Sequence, residues 1–351
     1  MLRKTLFIFL FFLLALSVGS VTTNTVRAQI PGASAVSDPL QYTVSPEAPG
    51  PNALVYIEVA GIGTFLGDST ISWSRDGTVV ASGVGKSSFG FYTGSIGTAT
   101  HIHVSIVSKT SGTFTKDFVF APSIINLVWE ADTSVPPLFL GKALYSAGSH
   151  LRVVAFPTVV SGKNLIGVDK LSFQWQLGGT NQPSASGLGR NVFGFGGSQL
   201  HSEEDVSVDV LYGDTKVGHG EITIPATTPA VVLYDRDALR GELLDGAFSN
   251  NLSLGQSEVT LQAQPYYFAN QSVANGTLAY SWTLGGQDAS GPDSARGILT
   301  LRQTGQGAGA AAVGVSIQNT DSSKFIQAAA TNLQITFGQN ASSLFTSLFG
   351  L

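Results

Sequence analysis

Two pairs of carboxylates recur at matching places in the chain and are the residue type that binds calcium. Glu130 and Asp132 form the first pair, and Asp235 and Asp237 form the second. Calcium takes about six to eight oxygen ligands, so backbone carbonyls of a nearby linker would have to complete each pair. Two interpretations stay open: calcium sites where one repeated unit meets the next, or solvated strand ends. No other cofactor is indicated.

Three further motifs are candidates for chemistry, and each lacks a required part. Gly85-Lys86-Ser87 is like the end of a phosphate-binding loop, but Val80 stands where that loop needs a glycine. His101 and His103 share one face of a strand, as two metal ligands would, but no third ligand is near in sequence. Glu203–Asp205 is an acidic cluster before a strand and indicates a charged turn. Because no nucleophile is paired with a base, the sequence predicts a protein that is not an enzyme.

The composition excludes further classes of function. The chain of 351 residues has no cysteine, which excludes disulfides, thiolate catalysis and cysteine-ligated zinc. Its 18 Lys and Arg residues form no basic run and are outnumbered by 23 Asp and Glu residues, so we expect no binding to nucleic acid. Exported β-modules from animals usually carry disulfides, and their absence favours a bacterial source.

Residues 1–28 have the features of a signal peptide. Arg3 and Lys4 precede an apolar run from Leu6 to Leu16, and Val26-Arg27-Ala28 fits the rule for cleavage. The apolar stretch is short for a bilayer span of about 20 residues. We therefore predict an extracytoplasmic protein, secreted or held at the cell surface. An uncleaved membrane anchor is the alternative.

The elements that must position these residues are the strands of a threefold repeat. Trp73, Trp175 and Trp282 each occupy an alternating strand, which places them on the face that packs into a core. A similar strand precedes each tryptophan and another follows it: Val55–Val59, Leu151–Ala155 and Val259–Ala263 before, and Ile102–Ile106, Val206–Val210 and Val313–Ile317 after. A buried tryptophan on the third strand is an immunoglobulin landmark. The sequence therefore predicts an all-β fold of three tandem immunoglobulin-like β-sandwich modules after a signal peptide, with these tryptophans in the structural core.

The same repeat sets the boundaries of the parts. They are a signal peptide (1–28), a linker (29–40), module 1 (41–122), module 2 (123–226), module 3 (227–338) and an apolar C-terminal tail (339–351). The tail carries Leu344, Phe345, Leu348 and Phe349. Exposed apolar stretches usually mark contacts, and we favour docking on module 3 over contact with a partner or a membrane.

The segments around the second and third tryptophans resemble a known repeat. Leu171–Gly179 and Leu278–Gly286 are similar to the aromatic-x-Trp-x-aromatic/Leu-Gly-x-Gly signature of polycystic-kidney-disease-type (PKD) repeats. Phe173 and Tyr280 match its first aromatic position, whereas the acidic residue between its glycines is missing. Module 1, with Trp73–Gly77, matches less well. The resemblance implies an immunoglobulin-like sandwich in a bacterial surface protein.

Two non-catalytic functions fit this architecture. The first is a structural spacer or an array of adhesion modules at the cell surface. The alternative is an accessory protein of an extracellular, pilus or secretion assembly, which binds a carbohydrate or a protein. Exposed loop aromatics would then form its platform, with Tyr92, Tyr212 and Tyr266–Phe268 as candidates. The expected partner is a surface protein or a glycan.

Overall fold

A computed structural model of the chain describes residues 40–61, 65–254, 258–304, 308–324 and 326–337. The predicted signal peptide, residues 29–39 of the predicted linker, and the apolar tail lie outside the described residues. Leu40, which the sequence assigned to the linker, is instead buried as the first residue of a strand. Within the described part of the chain, no helix has the length and apolar character needed to cross a membrane.

Module 1 consists of two antiparallel sheets that face each other. Its strands are β1 (Leu40–Ser45), β2 (Leu54–Gly61), β3 (Thr70–Arg75), β4 (Thr78–Val84), β5 (Ser88–Tyr92), β6 (Thr100–Ser108) and β7 (Gly112–Phe120). One sheet has the order β1-β2-β5 and the other the order β4-β3-β6-β7. Strand β6 shows why these segments are strands: Ile102, Val104 and Ile106 alternate into the core while His101 and His103 point outward.

Module 2 repeats this arrangement. Its strands are β8 (Ile124–Asp132), β9 (His150–Thr158), β10 (Val160–Ser161), β11 (Asn164–Leu165), β12 (Ser172–Leu177), β13 (Thr180–Asn181), β14 (Gly187–Leu188), β15 (Val192–Gly196), β16 (Glu203–Tyr212) and β17 (Thr215–Pro225). The sheets have the orders β15-β9-β8 and β13-β12-β16-β17, with β14 also on β12. Short 3-10 turns occur in all three modules, at Phe65–Asp68, Val168–Lys170 and Ser294–Arg296.

Module 3 has the same two sheets with an added strand on each. Its elements are β18 (Ala230–Asp237), β19 (Gly241–Ala247), β20 (Asn251–Leu254), β21 (Glu258–Tyr266), α1 (Asn270–Ala274), β22 (Leu278–Leu284), β23 (Gln287–Ala289), β24 (Ile298–Arg302), β25 (Gly309–Asn319) and β26 (Ala328–Phe337). The sheets have the orders β19-β18-β21-β24 and β20-β26-β25-β22-β23. Strand β20 is parallel to β26, whereas the other described pairs in this module are antiparallel.

A tryptophan lies at the centre of each core. Trp73, Trp175 and Trp282 are buried on β3, β12 and β22, each in a separate cluster of apolar side chains. These three strands pair with the long strands β6, β16 and β25, which lie beside them in the same sheets. The third strand of an immunoglobulin fold carries its tryptophan in the same way. The chain is therefore a row of three immunoglobulin-like sandwiches.

Each indole N–H also has a backbone acceptor in the turn that precedes the next strand of the opposite sheet. Nε1 donates to the carbonyl oxygen of Lys86 in module 1 (2.9 Å), of Arg190 in module 2 (2.8 Å) and of Ser294 in module 3 (3.1 Å). A buried indole without such a partner would be costly. Gly85-Lys86-Ser87 is therefore the turn that receives the Trp73 indole and is not followed by the helix that a phosphate loop requires.

Candidate functional site

The most extensively hydrogen-bonded surface between modules is the junction of modules 2 and 3. We use "the junction" for the contacts of two module 2 segments, Thr133–Ser134 and Tyr145–Ser149, with module 3. The module 3 side comprises Pro265–Asn270 and Gln327. The module 2 segments begin and end the connection between β8 and β9, so the antiparallel pairing of these strands carries both to one end of the sandwich.

Ser134 joins the two modules through both its backbone and its side chain. Its N–H donates to the carbonyl oxygen of Phe268 (2.6 Å), and its own carbonyl accepts from the N–H of Tyr267 (2.7 Å). Its hydroxyl donates to Pro265 O (2.8 Å) and accepts from Phe268 N (3.1 Å). Tyr267 has a φ of 63°, which is uncommon for a bulky residue, and the bond to Ser134 holds it in place. Both backbone polar groups of Ser134 and its hydroxyl are therefore hydrogen-bonded to module 3.

Gln327 makes the second link with an amide that is almost completely buried. Its Nε2 donates to Ser146 Oγ (3.0 Å) and to Ala147 O (3.1 Å) of module 2. Its Oε1 accepts from Ala269 N (3.1 Å) and Asn319 Nδ2 (3.0 Å) of module 3. Two donor hydrogens and two lone pairs are all that a glutamine amide offers, so the group is fully satisfied. Each module supplies half of its partners.

Asn319 and Ser272 hold the module 3 side of this link. Asn319 Nδ2 donates to Ser272 Oγ (2.9 Å) as well as to Gln327, and both residues are buried. Asn319 Oδ1 accepts from Thr277 Oγ1 (3.2 Å) and Asp321 N (3.1 Å). A buried network that is fully bonded restrains its members to one arrangement. The Gln327 side chain is therefore positioned from within module 3.

The module 2 side is held by a buried tyrosine and a buried carboxylate. Tyr145 Oη donates to Glu204 Oε1 (2.9 Å), which also accepts from Ser198 N (2.5 Å). Burial, and then the hydrogen bond to Glu204, raise the pKa of the Tyr145 phenol. A Cβ at Gly197 would lie 2.2 Å from Tyr145 Oη, so only glycine leaves room for this ring. The next residue is Ser146, whose hydroxyl accepts the hydrogen bond from Gln327, so the buried Tyr145 also holds this part of the junction in place.

Three of the four acids predicted to bind calcium have protein partners in the structure. Glu130 forms an ion pair with Arg152. Asp132 Oδ1 accepts from Asn270 Nδ2 (2.7 Å), which adds a bond across the junction. Asp237 Oδ1 accepts from the backbone N–H groups of residues 239 and 240 (both 2.8 Å). These hydrogen bonds lower the pKa of Asp237.

The two acid pairs also differ in position. Glu130 and Asp132 lie at the junction. Strand β18 also begins near the junction, where Ala230 lies opposite Tyr266, but it carries Asp235 and Asp237 toward the other end of module 3. Over the described ranges, no three side chains among His, Cys, Asp and Glu come together as a metal site would require. The calcium hypothesis therefore rests on the sequence pattern alone.

Beside the junction, an open pocket is lined by charged groups of both signs. Arg152 is paired with Glu130, and the ammonium of Lys142 lies 3.1 Å from the ring centroid of Trp129. Desolvation lowers the pKa of Lys142, and the nearby Glu130 carboxylate opposes this shift. Because the charges partner one another, the pocket presents no single sign of charge to an ionic ligand.

The predicted aromatic platform is divided by the structure. Tyr266, the last residue of β21, and Phe268, in the connection that follows it, are both buried. The Tyr266 ring contacts Phe139 of module 2 edge-on at 5.7 Å, and its hydroxyl is hydrogen-bonded to Tyr234. In contrast, Tyr92 is 61% exposed on β5. The expectation of a platform at Tyr266–Phe268 is therefore wrong, because the Tyr266 ring is buried against module 2 and the Phe268 ring in the core of module 3.

The structure also places the histidine pair and the acidic cluster, and it corrects the prediction for the second. His103 Nδ1 lies 2.7 Å from Asp117 Oδ1 on the neighbouring strand, so its partner is a cross-strand carboxylate. Glu203–Asp205 is the start of β16 and not a charged turn, and Glu204 faces the core. The signal was present, because Glu204 shares the alternation of Val206, Val208 and Val210.

The contact between modules 1 and 2 is of a different kind. Lys216 of module 2 reaches Glu47 of module 1 (Nζ to Oε2, 3.3 Å) and Asp209 of its own module (3.0 Å). Partial burial lowers the pKa of Lys216, but its bonds to Asp209 and Glu47 outweigh this and raise it. The Glu47 side chain is largely exposed, and such ion pairs contribute at most about 1 kcal/mol.

Comparisons with known proteins identify no family for this chain. No protein-family model matches it, and no curated protein does. Similar solved structures include the three N-terminal domains of the outer capsid protein Hoc of bacteriophage RB49, at 11% identity and a TM-score of 0.24, covering 85% of this chain and 98% of that one.

Two more solved structures are similar at the same level. The central fibronectin-III array of RIM-binding protein has 12% identity and a TM-score of 0.29, with 86% of this chain and 96% of that chain covered. Bacteroides ovatus SGBP-B, solved in complex with a mixed-linkage heptasaccharide, has 13% identity and a TM-score of 0.24, with 83% and 65% covered. At identities and TM-scores this low, these proteins support no inference about the ligand or partner of this chain.

Proposed function

We propose that this chain is a non-catalytic, exported spacer in which modules 2 and 3 form one rigid rod segment. The observation that supports a rigid segment is the buried Gln327 amide, whose four hydrogen bonds are divided between the two modules. The predicted signal peptide and the PKD resemblance favour display at a bacterial surface. A spacer needs fixed orientation between its modules, and the junction supplies it.

The orientation of module 3 relative to module 2 is fixed by buried hydrogen bonds, because their strength depends on direction. A rotation of module 3 against module 2 would separate Gln327 from Ser146 and Ser134 from Phe268 at once. Each buried polar group left without a partner costs about 1–3 kcal/mol. A rotation too small to admit water therefore leaves these groups buried without partners. The two modules are therefore held in one orientation.

The test is a distance measurement between the modules. The chain has no cysteine, so Lys163→Cys and Asp288→Cys place one spin label on each module. We expect pulsed electron paramagnetic resonance to give a narrow distribution of the distance between the two labels. Gln327→Ala should broaden it, whereas Gln334→Ala, which removes an exposed glutamine of β26, should not. A broad distribution in the otherwise unchanged chain would exclude a rigid segment.

A specific observation also favours the second candidate function, a binding accessory. Leu54 and Tyr56 of β2 and Tyr92 of β5 share the outer face of one module 1 sheet and are exposed, with the two tyrosines 56% and 61% exposed. Gly90 lies opposite Tyr56, and a Cβ there would lie 2.8 Å from the tyrosine ring. Flat aromatic surfaces of this type suit a glycan or a protein. A glycan and surface-protein binding screen with Tyr56→Ser/Tyr92→Ser as the matched variant tests this alternative.

A further inference from the structure

Module 3 has an open apolar pocket at the end opposite the junction. Its volume is about 380 Å³, and its walls include Leu254, Leu284, Leu301, Ala311, Ile335 and Phe337. Leu301 belongs to one sheet of the sandwich and the other five residues to the second sheet. Among the described residues, the pocket therefore lies between the two sheets and is continuous with the core.

The walls of this pocket are incompletely shielded from water. Leu284 is 38% exposed, and Leu254, Leu301 and Phe337 are half-buried, whereas Trp282 two residues earlier on β22 is buried. Apolar surface removed from water is worth about 25 cal/mol per Å². A complementary apolar segment that covers these side chains would therefore stabilise the module.

The chain itself carries a segment that fits this description. Residue 338 follows directly from Phe337, which is part of the pocket wall. Residues 338–350 contain no charged side chain, and they include Leu344, Phe345, Leu348 and Phe349. An extended chain spans about 3.3 Å or more per residue, so the seven steps from Phe337 to Leu344 cover up to about 23 Å. The apolar residues are within reach of the pocket.

We propose that the segment Leu344–Phe349 binds in this pocket. A short tether gives such a segment an effective concentration in the millimolar range, which a free partner would have to match. The segment has no charge to desolvate, and the pocket wall is apolar over most of its surface. The occupant is therefore the same chain.

Thiol labelling of the chain tests this proposal. Leu284→Cys places a single thiol in the pocket wall of a protein that has no other cysteine. We expect a maleimide to react with it at least tenfold faster when Leu344, Phe345, Leu348 and Phe349 are all replaced by serine. Leu188→Cys, at an exposed position of module 2, is the control and should react at the same rate with either tail.

The other occupants give different results. Protection that increases with protein concentration, together with a dimer by light scattering, would assign the pocket to a second copy and overturn the proposal. Protection that requires added phosphatidylglycerol vesicles would assign the segment to a membrane surface and also overturn it. Equal labelling rates for the two tails, at low and high concentration and without vesicles, would show that the segment does not bind there.

Discussion

The phenol of Tyr145, in the loop between β8 and β9, donates a hydrogen bond of 2.9 Å to the carboxylate of Glu204. Glu204 is on β16, which belongs to the other sheet of module 2. Both side chains are buried. The bond ties the loop that contains Ser146 to the core of its own module. The carboxylate therefore holds the residue next to Ser146, which accepts a hydrogen bond from Gln327 of module 3.

Replacement of this carboxylate should destabilise module 2. Glu204→Ala leaves the Ser198 N–H without its acceptor, at a cost of about 1–3 kcal/mol. The Tyr145 hydroxyl keeps only its longer hydrogen bond to the Ser198 carbonyl (3.2 Å). We expect a lower free energy of unfolding in urea. The control is Glu203→Ala, which removes an exposed carboxylate one residue earlier. Equal losses in the two variants would contradict the role of Glu204.

Trp175, the core tryptophan of module 2, should be required for its ring and for its N–H. Trp175→Ala empties a large core site, which costs about 3–5 kcal/mol. Trp175→Phe keeps an aromatic ring but leaves the Arg190 carbonyl without its donor, and we expect an intermediate loss. Urea unfolding gives the three free energies. A matched control is Trp129→Phe at a half-buried tryptophan, for which we expect a smaller change. Unchanged stability in Trp175→Ala would contradict the position of the core.

Asp321 should contribute a pH dependence at the acid end of the range. Its hydrogen bonds with Lys324 and Ser323 lower the pKa of its carboxyl to about 2. A carboxyl with a lowered pKa in the folded state stabilises the protein above its unfolded value of about 3.9, and this contribution is lost as the pH falls toward 2. We expect an NMR titration midpoint for Asp321 near 2 and a smaller acid-dependent decrease of melting temperature in Asp321→Asn. A midpoint near 4 would contradict the hydrogen bonds to Lys324 and Ser323.

Calcium provides a test of the paired acids. The sequence hypothesis predicts a higher melting temperature in millimolar calcium and loss of this rise in Asp235→Asn/Asp237→Asn. Arg152 and backbone N–H groups already satisfy Glu130 and Asp237, so a cation would have to displace them. We therefore expect the same melting temperature in calcium and in chelator. A rise that the double variant abolishes would support the calcium site instead.

The cores could be predicted from the sequence, whereas the junction could not. Alternation along β3, β12 and β22 marks the core face of each strand, and the alternation of Val206, Val208 and Val210 along β16 extends to Glu204. Ser134 and Gln327 lie in connections that have no period, and their partners are distant in sequence. Loop positions are set by tertiary contacts, which the pattern of a single strand does not contain.

Strand β20 has a mechanical consequence for a chain that links two anchor points. Asn251 lies opposite Gln334 and Leu254 opposite Phe337, so the two strands run in the same direction. The leading end of β20 and the trailing end of β26 then lie at opposite ends of the ladder. Tension that pulls these two ends apart acts along the strands and loads all the hydrogen bonds between them together. Two antiparallel strands joined by a hairpin can instead be separated one hydrogen bond at a time. Module 3 should therefore unfold at a higher force when β20 is paired with β26. Single-molecule pulling should show a higher rupture force for the unchanged chain than for the variant Leu252→Pro.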